Sequence, residues 1–577
     1  MKYYDRILPC LGMMLLFIAS ARAQNMADYS GHWMAGITNS RFFTVDIRID
    51  KLNDGRGRLN LSGACAPAVV RMFSIDDDGS FSVHLDSSMA FKGLFCKAGA
   101  QLSCFISSGQ WQYHAALIRQ EGNSYKGEWK ILLSERTVLP LFLSIEEAAG
   151  EKFAAYAFLA DRRFPGFACY DFIKRGKQIA FKDFRTGLSF RGVLKIREIL
   201  VDISAGPVKL GKVSFVRVPE QDSFGAKIEA TAFSSKHPVK MDDDIETSTL
   251  EEGGFGARLL SDLVDSINRG SITNTHSVLI ARRGKLLWEQ YFAGYDLNTP
   301  HDLRSASKSI SSALVGIAIR EGVLEDTAQH IADLLPAYAE IFKTDSLKQQ
   351  ISVGSLLTMS SGLDAIDFGI EGKSAGAEDV YQTTSNWLLT VLKAPMINEP
   401  GTHAYYGSAN PFLLGAAVKA KLKGSVAWFI DQKLFSPLGI KNYLLQNDCF
   451  RNPYFGGGWF LTSRDFLKFG MMYQNGGKWK GKQIVGKEWI ESSWKSYLPL
   501  ENHPQKNPYG FLWWHHRYKV GGQMINSIEA RGAGGQYLFV IPQFDLVIVI
   551  TSGNFRNGRV WQPEKIVEQY ILPAIAG

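Results

Sequence analysis

Ser305-Ala306-Ser307-Lys308 runs straight into apolar positions at helical spacing, Ile310, Ala313, Leu314, Ile317 and Ala318, and the run stops at Gly322. This periodicity predicts a helix beginning at about Ser305 with one face built for a core. A hydroxyl at such a start lies beside unpaired backbone N–H groups and the positive end of the helix dipole, where a developing oxyanion can be held. Lys308, three residues on, shares its face. The quartet therefore calls for a domain large enough to bury a helix and leave its first turn open to a pocket.

A Ser-x-x-Lys quartet by itself is weak, and the chain holds a second copy from Ser492 to Lys495. That copy lies in a Trp-rich helical stretch, Glu488 to Trp494, with no companion motifs in order around it, and reads as surface helix. Gly372-Lys373-Ser374-Ala375-Gly376 spells the Gly-x-Ser-x-Gly nucleophile elbow, but no apolar strand precedes it and an acidic stretch follows. Ser305 differs because further elements follow it in order.

Residues 1–23 read as a secretory signal, with Lys2 and Arg6, an apolar core from Leu11 to Ala19, and a small-x-small site at Ala21-Arg22-Ala23. The expectation is a periplasmic or secreted protein cleaved near Gln24. No later apolar run approaches the ~18 residues needed to span a bilayer. Loss of the signal removes Lys2, Arg6, Arg22 and Asp5 and takes the formal charge from +8 to +6. No dense basic block with interleaved aromatics appears, which argues against nucleic acid as a partner.

Five cysteines remain, Cys65, Cys96, Cys104, Cys169 and Cys449, and an odd count leaves at least one free or intermolecular thiol. Cys96 and Cys104 flank Gly99 in what reads as a β-hairpin and are expected to bridge it. No His cluster has metal-ligand spacing, and His515-His516 beside Trp513-Trp514 reads as a pocket rim or core edge. Neither a metal nor a cofactor is called for.

From Tyr29 to about Val218 the pattern is short alternating segments punctuated by Gly, Asp and Asn, which predicts an all-β region over residues 24–220. It reads as an internal duplication, about 24–125 and 126–220. Gly31-His32-Trp33 matches Gly127-Glu128-Trp129, and the stretch from Asp78-Gly79 to Phe91-Lys92-Gly93 matches that from Arg175-Gly176 to Phe190-Arg191-Gly192. Two related β-barrel or sandwich units are expected. Residues 221–256 are polar and aperiodic and read as a linker. In residues 257–577, a hairpin (Ser277 to Ala281, Lys285 to Phe292) and two late apolar strands (Gln536 to Ile541, Leu546 to Thr551) enclose helical stretches. A last helix follows from Pro563. This second region predicts an α+β domain of helices and strands around one pocket.

Six stretches then carry a resemblance: the hairpin Val278-Leu279-Ile280-Ala281-Arg282-Arg283-Gly284-Lys285; Ser305-Ala306-Ser307-Lys308-Ser309; Leu356-Leu357-Thr358-Met359-Ser360-Ser361-Gly362-Leu363; Pro400-Gly401-Thr402-His403-Ala404-Tyr405-Tyr406-Gly407-Ser408; Gly457-Gly458-Trp459-Phe460-Leu461-Thr462-Ser463-Arg464-Asp465; and Gly532-Ala533-Gly534-Gly535-Gln536. In this order they resemble the serine β-lactamase-related hydrolases: class C β-lactamases, family VIII esterases, DD-peptidases and 6-aminohexanoate-dimer hydrolases. The resemblance covers roughly Asp242 to Ile571 and implies a β-lactamase/DD-peptidase-like domain, an antiparallel sheet with helices and a helical subdomain.

It also implies Ser305 as the acylated nucleophile, Lys308 as its base and Tyr406 as a proton relay. Alone, Tyr406 would pass for a core residue among Tyr405 and Phe412; its place after Pro400-Gly401-Thr402 and before Leu413-Leu414-Gly415 singles it out. A lysine of ordinary pKa ~10.4 is neutral about once in 2,500 molecules at pH 7, so a base role predicts a fall of ~3 units, worth roughly 4 kcal/mol. Burial beside the apolar helix face is the expected source.

Two positions depart from the family pattern. The Tyr-x-Asn element is Tyr406-Gly407-Ser408, which puts a hydroxyl where an amide would help hold a lactam side chain. The Lys-Thr-Gly element is replaced by Ala530-Arg531-Gly532, so the cation that would pair with a β-lactam carboxylate is missing or is supplied by Arg531. Ala533 N–H is the expected second oxyanion donor opposite Ser305 N–H, with Ser408 and Gly532 lining the substrate. The expected substrate is a small ester, amide or peptide-like molecule. The alternatives are a penicillin-recognising β-lactamase or DD-peptidase and, from another class, a catalytically inactive binding or receptor protein. Oligomeric state is left open.

Overall fold

A computed structural model describes residues 29–38, 41–64, 67–86, 89–95, 101–132, 139–148, 152–159, 169–219, 230–555 and 557–575. The expected signal segment, Cys65 and Cys96 lie outside them, and with Cys96 the expected Cys96–Cys104 bridge. The described residues fall into two compact units, one within Met1–Gly109 and Leu117–Ala226, the other within Gln110–Ala116 and Lys227–Gly577. Among the described residues no helix is long and apolar enough to cross a membrane.

The first unit is all strand. Its elements are β1 (Gly31–Ile37), β2 (Thr44–Lys51), β3 (Arg56–Gly63), β4 (Val69–Ser74), β5 (Ser80–His84), β6 (Ala90–Phe95), β7 (Gln101–Ser108) and, from Leu117 on, the end of β8 (Trp111–Arg119). The order then repeats: β9 (Ser124–Lys130), β10 (Leu139–Ala148), β11 (Lys152–Leu159), β12 (Tyr170–Arg175), β13 (Gln178–Lys182), β14 (Leu188–Leu194), β15 (Glu198–Ala205) and β16 (Val208–Val218). Alternation puts Val45, Ile47 and Ile49 of β2, and Ile199, Val201 and Ile203 of β15, into the interior.

The repeats exchange their first strands. β1 pairs antiparallel with β10 and β16 of the second repeat, and β9 pairs with β2 and the end of β8 in the first. Trp33 and Trp129, the matched tryptophans, are thereby buried in each other's repeat. Corresponding hairpins also stack alike, Phe81 on Phe91 and Phe181 on Phe190. The two β units expected over about 24–125 and 126–220 are thus interlocked by strand exchange, which the sequence reading did not anticipate. Sequence similarity locates the copies but carries no signal of which copy's sheet receives the first strand.

In the second unit a nine-stranded sheet runs in the order Glu246–Thr247, Lys285–Tyr291, Thr275–Arg282, Leu546–Ser552, Gln536–Ile541, Gln523–Gly532, Trp514–Val520, Pro508–Tyr509, Leu498–Pro499. The hairpin between Thr275–Arg282 and Lys285–Tyr291 turns on Arg283 and Gly284, both at positive φ, the geometry of a two-residue turn whose twist suits its strands. Helix α1 (Ala257–Asn268) buries Leu260, Leu263, Val264 and Ile267 against Phe539, Ile548 and Ile566 on one face of the sheet. Helix α2 (Lys308–Arg320) is buried along most of its length. Helix α3 (Ala409–Lys421) follows the Tyr406 stretch, and α4 (Ser463–Gln474) packs Gly470 onto Leu538 and Val547 of the opposite sheet face.

Residues 230–256 are not a free linker. Ala232 O and Ser234 O accept from Gln290 Nε2 and Trp288 Nε1, Arg464 bonds Val239 O and Asp243, and Glu246–Thr247 joins the sheet. Their hydrogen bonds go to distant side chains, so the local sequence shows no period to read.

Candidate active site

Ser305 lies in a 3₁₀ turn, Arg304–Ser307, and α2 proper starts at Lys308, three residues later than the periodicity predicts. The turn is set by its neighbours. Arg304 holds φ +51°, Arg304 N–H donates to Asp302 Oδ1 at 2.8 Å, and its carbonyl accepts from Ser307 Oγ at 2.7 Å and Gly458 N–H at 3.3 Å. These bonds outweigh α-helical pairing for one turn.

Lys308 is buried, and its Nζ donates to Ser305 Oγ at 2.8 Å and to the carbonyl of Gly456. Gly457 makes room for this: at φ +148°, a Cβ there would stand 3.2 Å from Arg304 O. The Tyr406 ring lies 5.1 Å from Lys308 Nζ and stacks on Trp514 at 5.3 Å between centroids. Ser305, Lys308 and Tyr406 thus meet at one point.

The Tyr406 stretch is placed by the motif before it. Met359 O accepts from Tyr405 N–H at 3.0 Å, Ser360 O from Gly401 N–H at 2.8 Å, and Gly362 O from Ile397 N–H at 2.8 Å. Asn502 clamps Tyr406 itself, accepting from its N–H at 2.8 Å and donating to its carbonyl at 3.3 Å. Gly407 passes so close to Ala365 that a Cβ would stand 1.8 Å from the Ala365 carbonyl oxygen.

The charge state of the lysine differs from the sequence expectation. Burial pushes Lys308 down, but Tyr406, Glu378 and Asp367 together outweigh it, and its pKa is held above the ordinary lysine value. Burial pushes the Tyr406 phenol up, while Lys308 and Ser305 pull it the other way; the net direction is up. Asp367 is pushed up to about 6, by burial first and then by Glu378. The expected lowering of Lys308 by burial is therefore corrected: its site contains carboxylates that its own helix gives no hint of.

Gly532 ends its strand directly against the Ser305 turn, with Leu303 O 2.2 Å and Ala306 N 3.1 Å from where its Cβ would be. Ala533, next in line, is exposed. Ser305 lies in the turn that Gly532 abuts and Ala533 follows Gly532 directly, so the two expected N–H donors sit on adjoining segments. Ser408 lies elsewhere than expected. It is buried, and its N–H and Oγ–H both donate to Asp367 Oδ2 at 2.7 Å, so its hydroxyl does not face a substrate. Arg531 is also committed, to Glu529 at 2.7 Å and Glu564 at 2.9 Å. Strand alternation turns it away from the face that Gly532 presents to Ser305.

The two decoy serines are structural. Ser374 is buried and bonded to Asp364 and Ile366 N–H, with no strand before it. Ser492 sits at the C-terminal end of the helix Lys487–Ser493, where no N–H groups are unpaired. Among the described residues no group of three or more His, Cys, Asp or Glu side chains could hold a metal ion. His516 lies 3.8 Å from Glu564, at the edge of the buried network around Arg531.

A family model, Beta-lactamase, matches residues 261–565, more than half of the chain. The chain belongs to the beta-lactamase family. This beta-lactamase-family protein is therefore a serine hydrolase by membership, in a family with esterase, amidase and β-lactamase members. It is 27% identical over 314 residues to a 6-aminohexanoate-dimer hydrolase of Paenarthrobacter ureafaciens, covering 51% of this chain and 76% of that one. Among solved structures it is similar to EstCE1, a hydrolase with promiscuous acyltransferase activity, at 18% identity and a TM-score of 0.45, covering 57% of this chain and 100% of that one. It is also similar to a putative 6-aminohexanoate-dimer hydrolase from Bacillus anthracis, at 20% identity and a TM-score of 0.41, covering 55% and 80%.

Sequence reasoning missed Asp367, Glu378, Asn502 and the carbonyl of Gly456. Gly456 precedes the quoted Gly457-Gly458-Trp459 motif, which was the only signal near it. Asn502 sits in a turn-like Glu501-Asn502-His503-Pro504 stretch 96 residues from the tyrosine it clamps.

Proposed function

We propose that this protein hydrolyses ester or small amide bonds through an acyl-enzyme on Ser305. The observation that carries this reading is the 2.8 Å contact from Lys308 Nζ to Ser305 Oγ, with Tyr406 against the same lysine. Ser305 Oγ attacks the acyl carbonyl, and its proton passes to the Lys308–Tyr406 pair, which must first have lost one proton. The tetrahedral oxyanion is received by the N–H groups of Ser305 and Ala533. Collapse expels the leaving group, which takes a proton through Tyr406. Water then repeats the sequence on the acyl-enzyme and regenerates Ser305.

Esters and small amides are favoured over β-lactams because the Ser408 hydroxyl is held by Asp367 and Arg531 by Glu529 and Glu564. The relative named as a 6-aminohexanoate-dimer hydrolase supports a small amide. Residues 1–23, read as a secretory signal, support export to the periplasm or beyond, and N-terminal sequencing that finds mature protein starting near Gln24 is the test.

The test is covalent labelling by a fluorophosphonate with mass mapping of the labelled peptide. Label on Ser305, lost in Ser305→Ala and retained in Ser374→Ala and Ser492→Ala, is expected. Lys308→Arg should lose nearly all turnover, since a guanidinium cannot accept the proton. Label on Ser374, or more than a tenth of wild-type kcat in Lys308→Arg, overturns the assignment.

A further inference from the structure

The turn that carries Tyr406 is held by a pair of carboxylates that the acyl-transfer chemistry does not itself use. Asp367 Oδ2 receives both donors of Ser408 at 2.7 Å, and its Oδ1 receives Glu378 N–H at 2.9 Å. Asp367 N–H in turn donates to Tyr406 O at 3.1 Å. One residue therefore grips both ends of the Tyr406-Gly407-Ser408 tripeptide. Glu378 is fixed in its turn by Tyr454 Oη at 2.7 Å and Gln382 Nε2 at 3.2 Å.

We infer that Asp367 and Glu378 are positioning residues for the Lys308–Tyr406 pair: Asp367 holds both ends of the turn that carries Tyr406, Glu378 holds Asp367, and the two carboxylates bring negative charge to the pair. The inference rests on the reading of Ser305 as the nucleophile. Simple stabilisation of the fold is a poor account of Asp367. Its carboxyl is pushed up to about 6 by burial and by Glu378, so the folded protein carries that charge at neutral pH against a penalty. A buried acid kept next to a second acid is accounted for if a cation must be held nearby, and the cation both act on is Lys308.

The direction of the effect on chemistry follows. Ser305 becomes nucleophilic when the Lys308–Tyr406 pair has lost its first proton, whichever of the two carries the remaining one. Negative charge near the pair makes that loss harder and moves the onset of reactivity to higher pH. Removing either charge moves it to lower pH. The titratable groups around the pair are Asp367 and Glu378, Tyr509 edge-on to Tyr406, and Tyr381 and Tyr454, which pack around Glu378 and are pushed above the phenol range by burial and by its charge.

The experiment is the second-order rate constant for fluorophosphonate labelling of Ser305 in the full chain, measured from pH 5 to 10 in wild type, Asp367→Asn, Glu378→Gln and Ser408→Ala. The rising limb should move down by about one pH unit in Asp367→Asn and in Glu378→Gln. Ser408→Ala keeps both charges, so its limb should stay in place while its plateau falls. A limb that stays at the wild-type pH in folded Asp367→Asn overturns the inference. Should Asp367→Asn fail to fold, Glu378→Gln, which keeps an acceptor for Tyr454, decides it by the same criterion. Wild-type protein without label on Ser305 would instead overturn the proposed function, and this inference with it.

Discussion

Asn502 holds Tyr406 by both backbone groups, accepting from its N–H at 2.8 Å and donating to its carbonyl at 3.3 Å, and its Nδ2 also reaches Phe368 O at 3.0 Å. A side chain remote in sequence thus sets the height of the tyrosine above Lys308. Asn502→Ala leaves a buried N–H unpaired, which destabilises by about 1–3 kcal/mol. It should also lower kcat on a p-nitrophenyl ester by about tenfold or more, because a small misplacement of a proton relay is felt in the transition state. Unchanged kcat in a destabilised variant would restrict Asn502 to a folding role.

Gly407 has no room for a side chain. A Cβ at 1.8 Å from Ala365 O would push the Tyr406 turn away from the Ser360-Ser361-Gly362 segment. Gly407→Ala should destabilise by about 1–3 kcal/mol or more by overpacking, and reduce fluorophosphonate labelling of Ser305 well beyond the loss of folded protein. Thermal melting and labelling of the same sample separate the two effects.

His503, next to the clamp, is buried against Trp514 and Trp561, and its pKa is pushed down to about 4 by burial first, then by Arg531 and His516. Unfolding releases a histidine that binds a proton near pH 6.5, so the unfolded state takes up the proton first. The contribution is complete above pH 6.5 and is lost as pH falls through 6.5 toward about 4. Denaturant unfolding at pH 7 and pH 4.5 should show this loss in wild type and a smaller one in His503→Phe. Equal losses in the two proteins would mean that other groups govern acid unfolding.

A β-lactam would find neither a free hydroxyl on Ser408 nor a cation on Arg531. Two missing contacts, one of them to a charged group, amount to ~2–4.5 kcal/mol, or roughly one and a half to three powers of ten in kcat/KM. Short-chain esters need neither. Hydrolysis of p-nitrophenyl acetate or butyrate is expected, with weak or no turnover of a chromogenic cephalosporin. Comparable kcat/KM for the two classes would show that another group takes the carboxylate and would return β-lactam hydrolysis to first place.

The hairpin at Arg283-Gly284, the buried α2 and the two late strands were readable because each follows from a period or turn of fewer than ~20 residues. The matched repeats were readable because copies keep their local patterns. The order of the motifs also singled out Ser305, Lys308 and Tyr406, which the fold brings together. Two expectations failed for a shared reason. Residues 230–256 looked like linker, and Ser408 like a substrate contact, because their partners, Arg464, Trp288 and Asp367, come from distant parts of the chain.

What the sequence by itself determined is the set of local commitments: an apolar helix behind the serine, strands with alternating faces, and glycines where backbone must pass close to backbone. What only the tertiary structure decided is electrostatic and long-range. Whether Lys308 is lowered or raised depends on Tyr406, Glu378 and Asp367, which come from other parts of the chain, and which repeat's sheet receives β1 depends on pairing over more than a hundred residues. Charge interactions and strand pairing act through space, and sequence separation carries no measure of that distance.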